Sequence, residues 1–198
     1  MTLDPAGKPF VATAIVLAVA LAFWSPWLGV AGATLVLFVL NFFRDPERRT
    51  PDDPRALVSP ADGRVIRADG ERVSIFMNVF DVHVCRSPAG GRIASVTSEA
   101  GRFLAAMKDA ASESNERTAL VVAVPERGSV RFVLVAGLIA RRIVCRVAPG
   151  REVRAGERIG MIRFGSRVDV DVPVGAVPVV RIGDKVVAGE TVVARWSA

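Results

Sequence analysis

The chain has 198 residues, 51% hydrophobic and 23% charged, which excludes wholesale disorder and suits one compact domain with an appendage. Its 26 Lys and Arg against 20 Asp and Glu leave a net charge of +6, a balance that fits nucleic acid or an anionic membrane surface. Two cysteines, Cys85 and Cys145, exclude a disulfide scaffold and read as reduced thiols, and a single histidine, His83, excludes a multi-histidine site, so no metal is expected.

No charged residue lies between Lys8 and Arg44. As one helix, Pro9 to Phe43 would run about 52 Å, against a hydrocarbon core of about 30 Å. The run breaks at Ser25-Pro26, which predicts two apolar helices of roughly 16 residues each, a hairpin that either spans tightly or dips into the bilayer. Lys8 before the run and Arg44, Arg48 and Arg49 after it predict that both ends face the cytoplasm. Trp24 and Trp27 fall at the turn, where amphipathic rings favour an interface. The run is far longer than the apolar part of a cleaved signal peptide, about 7–15 residues. Residues 1–49 are therefore expected to be a membrane-associated hairpin with the start of a linker. Residues 50–198 are expected to be a domain held at the cytoplasmic face of the cell membrane.

Arg44 to Pro54 is a polar, proline-rich linker. Beyond it, β-branched runs cut by Gly and Pro predict strands, clearest at 65–66, 73–77, 92–96, 120–124, 130–135, 143–147 and 168–172. Alternation in the last is strict, so Asp169 and Asp171 are expected on the face opposite the buried valines. The stretch 101–114 reads as a short helix or a mobile loop. The fold class predicted is mostly β: a barrel-like β-sandwich preceded by an N-terminal apolar α-helical hairpin. Residues 153–160 echo residues 185–192, each a strand, a Gly-Glu turn and a second strand. Lipoyl carrier domains have such a pattern, so a non-enzymatic, membrane-anchored lipoyl-like β module is the alternative reading. Lys185 is badly placed to carry a prosthetic group there. No aromatic residues interleave with a basic cluster in the soluble part, so no nucleic-acid partner is expected.

Gly165-Ser166 sits between an apolar strand and the alternating one. Glycine leaves its carbonyl unshielded, and in a constrained turn a serine hydroxyl can attack the preceding carbonyl and turn the amide into an ester. Four segments give this pair a context: Leu57-Val-Ser-Pro-Ala-Asp-Gly63, Phe80-Asp-Val-His-Val-Cys-Arg-Ser-Pro88, Asn115-Glu-Arg117 and Phe164-Gly-Ser166. In this order, behind an apolar hairpin, they resemble the phosphatidylserine decarboxylase family in its short, archaeal-type form, over essentially the whole chain.

The resemblance implies a proenzyme that cuts itself between Gly165 and Ser166. The products would be a β chain, 1–165, and an α chain, 166–198, which stay together as a heterodimer; a higher homo-oligomer is left open. Ser166 would become a covalent pyruvoyl group, the only cofactor. That group would form a Schiff base with phosphatidylserine in the membrane and release phosphatidylethanolamine. A serine needs a base, and the one imidazole is His83. The family's Ser-Pro-Ala-Asp-Gly aspartate pairs with a histidine, which implies an Asp62–His83–Ser166 relay. Long forms carry a second histidine where this chain has Arg86, so one imidazole serves cleavage and decarboxylation, or one job passes elsewhere. Arg86, Arg117, Arg141 and Arg142 are candidates for the lipid phosphate and carboxylate. Arg163 and Arg167 flank the cut and could steer anionic headgroups. Asn115-Glu116-Arg117 matches the family without a role that chemistry assigns.

Overall fold

A computed structural model describes residues 2–101, 115–137, 142–163 and 166–197; Arg141, Phe164, Gly165 and the expected helix or loop after Gly101 lie outside the described residues. The chain divides into two units, Met1–Glu47 and Arg48–Ala198.

The first unit comprises β1 (Thr2–Leu3), a 3-10 turn (Pro5–Gly7), α1 (Lys8–Trp24), α2 (Pro26–Phe42) and β2 (Arg44–Asp45). Ser25 separates the helices in an extended conformation, φ −162° and ψ 141°. Pro26 causes this: a proline disfavours helical geometry in the residue before it, yet fits the first position of a helix. Gly29 faces Ala22 and Gly32 faces Ala18 so closely that a Cβ on Gly32 would lie 2.6 Å from the Ala18 Cα. Small residues thus let the two helices touch. Val16, Phe23, Trp24 and Trp27 are exposed. The 20 residues Pro5–Trp24 form a segment long and apolar enough to cross a membrane, while α2 is shorter. β1 pairs antiparallel with β2, and Phe10 stacks on Phe43 with ring centroids 5.2 Å apart.

The second unit is built from β3 (Ala56–Val58), β4 (Gly63–Ala68), β5 (Arg72–Met77), β6 (Val84–Arg86), β7 (Gly91–Glu99), β8 (Arg117–Val124) and β9 (Gly128–Ala136). There follow β10 (Ile143–Cys145), β11 (Glu152–Val153), β12 (Arg158–Ile162), β13 (Ser166–Asp171), β14 (Ala176–Pro178), β15 (Lys185–Val186) and β16 (Val192–Trp196). An eight-stranded sheet runs β11-β7-β8-β9-β13-β5-β4-β15, and two three-stranded sheets run β10-β12-β6 and β14-β16-β3. The core includes Leu57, Ile75, Phe132, Leu134, Val168, Val193 and Trp196. The expected mostly β, sandwich-like domain behind an apolar helical pair is the architecture found. Among the described residues no barrel closes, because the large sheet ends at β11 and β15.

The weak echo in the sequence belongs to a larger repeat. β11 and β12 flank one Gly-Glu turn, β15 and β16 the other. Val153 pairs with Gly91, and Val186 pairs with Gly63. The segments Ser59-Pro-Ala61 and Ser87-Pro-Ala89 each turn the same way: Ser59 Oγ donates to the Ala61 carbonyl at 2.6 Å and Ser87 Oγ to the Ala89 carbonyl at 2.7 Å. Gly63 and Gly91, at φ +151° and +154°, put carbonyl oxygens of Phe76 and Ala123 where a Cβ would stand, so only glycine fits. Read inward from its two edges, the large sheet therefore repeats the same roles and meets in the middle at β9 and β13.

Two details differ from expectation. β10 stops at Cys145 instead of running to residue 147. Asp169 is buried, because Arg167 on the same strand closes an ion pair with it at 2.6 Å and also donates to Ser74 Oγ at 2.9 Å. A charge satisfied this way can occupy a buried face that simple alternation would assign to solvent.

Candidate active site

Ser166 opens β13 and is buried. It lies opposite Met77, the last residue of β5, and Ala136, the last residue of β9. Its Oγ donates to Met77 Sδ at 3.1 Å. A thioether is a weak acceptor, so the hydroxyl is not committed to a strong one.

His83 stands just before β6 and is also buried. Its carbonyl accepts from the N–H of Ile162 at 3.2 Å. Ile162 ends β12, four residues before Ser166. Two paths of the chain thus tie His83 to the start of β13. One runs from Met77 through a turn in which Asp81 N–H bonds the Asn78 carbonyl at 3.0 Å; the other runs through Ile162. His83 Nδ1 lies 2.9 Å from the Asp81 carbonyl. A carbonyl only accepts, so this contact calls for a proton on Nδ1; in the neutral ring the lone pair then lies on Nε2.

Asp62 follows the Ser59-Pro-Ala61 turn. Arg48 Nη2 donates to both its oxygens, at 3.0 and 2.8 Å, and Ala188 N–H donates to Oδ1 at 2.8 Å. Burial raises its pKa above the ordinary 3.8, the Ala188 N–H and the Arg48 charge pull it back, and the Asp81 charge pushes it up again. The expected contact between this carboxylate and the imidazole is not the one made: Asp62 is satisfied by Arg48 and Ala188, and Nδ1 of His83 by a backbone carbonyl. A guanidinium offers a carboxylate stronger, charge-assisted bonds than a neutral imidazole does.

The candidate arginines part company. Arg86 is buried on β6 and donates to the Gly156 carbonyl at 2.9 Å. Arg117 pairs across β7 and β8 with Glu99 at 2.5 Å. Arg142 is exposed, and its carbonyl accepts from Arg163 N–H at 3.4 Å, close in sequence to Ser166. Arg167 is buried in its ion pair and faces no solvent. Arg141 lies outside the described residues.

Three residues hold roles that the sequence does not assign to them: two beside Ser166, and Arg48 on Asp62. Asn115 is buried and donates from Nδ2 to the Ala136 carbonyl at 2.7 Å, bracing the strand residue that faces Ser166. Its place in Asn115-Glu-Arg117 was the available signal. Met77 ends an apolar strand, and nothing in its sequence neighbourhood marks it. Arg48 was read as part of the basic flank of the hairpin.

The family model for phosphatidylserine decarboxylase matches residues 35–194. A phosphatidylserine decarboxylase proenzyme of Xanthobacter autotrophicus is 48% identical over 206 residues, covering 97% of this chain and 88% of the relative. One of Syntrophus aciditrophicus is 47% identical over 176 residues, covering 83% of each. One of Nitratidesulfovibrio vulgaris is 45% identical, covering 100% of this chain and 96% of the relative. A match of this extent, around a buried serine with a histidine tied to the strand ahead of it, shows that the chain belongs to the phosphatidylserine decarboxylase family.

Proposed function

We propose that the chain is a proenzyme that cuts itself between Gly165 and Ser166 and then decarboxylates phosphatidylserine to phosphatidylethanolamine. The family membership supports the reaction, and the relatives' name of proenzyme supports the maturation. The observation that carries the reading is the contact of His83 Nδ1 with the Asp81 carbonyl, in a residue tied to the strand that leads to Ser166. A neutral imidazole that donates from Nδ1 carries its basic lone pair on Nε2.

In this reading His83 takes the Ser166 hydroxyl proton as Oγ attacks the Gly165 carbonyl carbon. The peptide C–N bond is replaced by a C–O ester bond, and the nitrogen of Ser166 gains the proton. Loss of the Ser166 Cα proton expels the Gly165 carboxylate, and water then releases ammonia to leave a pyruvoyl terminus. The residues fit such a group: the serine is buried, its hydroxyl rests on a weak acceptor, and Asn115 stiffens the strand beside it. A pyruvoyl group supplies an electron sink for loss of a carboxylate next to an amine. Arg142 is the best-placed candidate for the headgroup's negative charge, since Arg117 already has Glu99. The apolar helices anchor the protein at the cytoplasmic face of the membrane, where its lipid substrate resides.

Intact mass spectrometry tests the reading. Purified protein should resolve into two chains, the smaller lacking a free amino terminus, and Ser166→Ala should remain a single chain without decarboxylase activity. An uncut chain with full activity would overturn it.

A further inference from the structure

Five arginines, Arg48, Arg86, Arg151, Arg154 and Arg158, line one cavity of about 490 Å³ in the second unit, facing a single carboxylate, Glu157. That carboxylate is already engaged by Arg151 Nη2 at 2.8 Å and by the Arg154 backbone N–H at 2.9 Å. Like charges gathered around one space repel, and an anion placed among them relieves the repulsion. Two donors point to the kind of anion. Arg48 Nε is buried and has no acceptor among the described residues, although its Nη2 holds Asp62. The Arg154 guanidinium likewise has no partner among the described residues. Guanidinium groups match the oxygens of phosphate in bidentate geometry.

Position decides which phosphate. Arg86 and Arg158 are cross-strand partners on β6 and β12. Measured along those strands, they lie three and four residues from His83 and Ile162, about 10–13 Å. In a serine headgroup the amine and the phosphorus are four bonds apart, about 5 Å at most. The Arg86 guanidinium is held at the Gly156 carbonyl, beyond Arg158 on the side away from Ile162, so the cavity lies further from that end of the strands than a serine headgroup is long. We propose that the cavity is a phosphate-binding site separate from the reacting headgroup, taking either the headgroup of a neighbouring anionic phospholipid or a soluble phosphate. Arg86 belongs to this site and not to the reacting lipid. The separation rests on decarboxylation at Ser166; the binding does not.

Calorimetric titration of the full chain in neutral detergent micelles reads the binding without turnover, so it is independent of whether the chain cuts itself. Inorganic phosphate and dihexanoyl phosphatidylglycerol are the two probes. Binding should occur, weaken with added salt, and fall at least tenfold in Arg154→Gln and in Arg158→Gln, with the lysine versions recovering part of it. Tighter binding of the lipid by tenfold or more identifies a headgroup site, and comparable binding identifies a site for free phosphate. Failure of both probes to bind at millimolar concentration, or binding unchanged in both glutamine variants, would overturn the proposal. Arg154 is exposed and unpaired among the described residues, so its variant should fold.

Discussion

A serine hydroxyl that donates to sulfur, as Ser166 does to Met77, gives up little when it leaves that bond to attack a carbonyl. The base is where selectivity enters. In a hydrolase triad the carboxylate fixes the imidazole tautomer, and its loss is costly because the wrong nitrogen takes the proton. Here a backbone carbonyl holds His83 Nδ1–H, and substitution at Asp62 leaves that carbonyl in place. We therefore predict that His83→Ala slows self-cleavage by about 10²–10⁴-fold, the usual contribution of a general base. Asp62→Asn should slow it much less, and time courses on gels of freshly expressed protein would rank them. Normal cleavage of His83→Ala would remove the histidine from the step. Equal losses would show that Asp62 acts through the imidazole after all. The sequence made Gly165-Ser166, His83 and Asp62 legible as a set because each sits in a compact motif. Arg48 was hidden because its partner lies 14 residues away and a basic residue after an apolar run already has an explanation. The side-chain direction of Asp169 follows from alternation, but its burial does not, because alternation does not report whether an ion pair makes that direction habitable.

At the scale of elements, the helical pair was the plainest feature: an uncharged run with Ser25-Pro26 in its middle can bend in only one place. Each 17-residue helix reaches about 26 Å, just under the hydrocarbon thickness. The short strands were harder to see. β6, β11, β14 and β15 have two or three residues each, too few for alternation to register. β11 and β15 each lead into a Gly-Glu turn and pair with β7 and β4, an arrangement the sequence shows only as a faint echo. Ser166 and His83, with Met77, Asp81 and Ile162 that bond them, lie in the second unit. Deleting residues 1–47 should therefore move the protein from the membrane to the soluble fraction while self-cleavage persists. Truncated protein that still sediments with membranes would show that the second unit holds the bilayer by itself.

At the scale of the whole molecule, the proposed cut need not separate its products. β13 lies between β5 and β9 in the middle of the large sheet, β15 pairs with β4, and β16 pairs with β3. The segment after residue 165 is thus bound at three places to strands that precede it. This arrangement sets an order in time. Folding the uncut chain is a first-order event, because every partner strand is tethered to every other. Once cut, a denatured sample holds two molecules that must find each other, and the longer of them has lost a central strand and exposes its unpaired edges to other copies. Ser166→Ala should recover from denaturant, in detergent, with a yield that does not depend on protein concentration. The mature pair should recover poorly, and its yield should change with dilution. Equal recovery of both at every concentration would mean that the strands after the cut contribute little to the sheet. Otherwise the proposed maturation would commit the protein to a lifetime set by its first unfolding, because the covalent tether that guides β13 into place would no longer be there to guide it again.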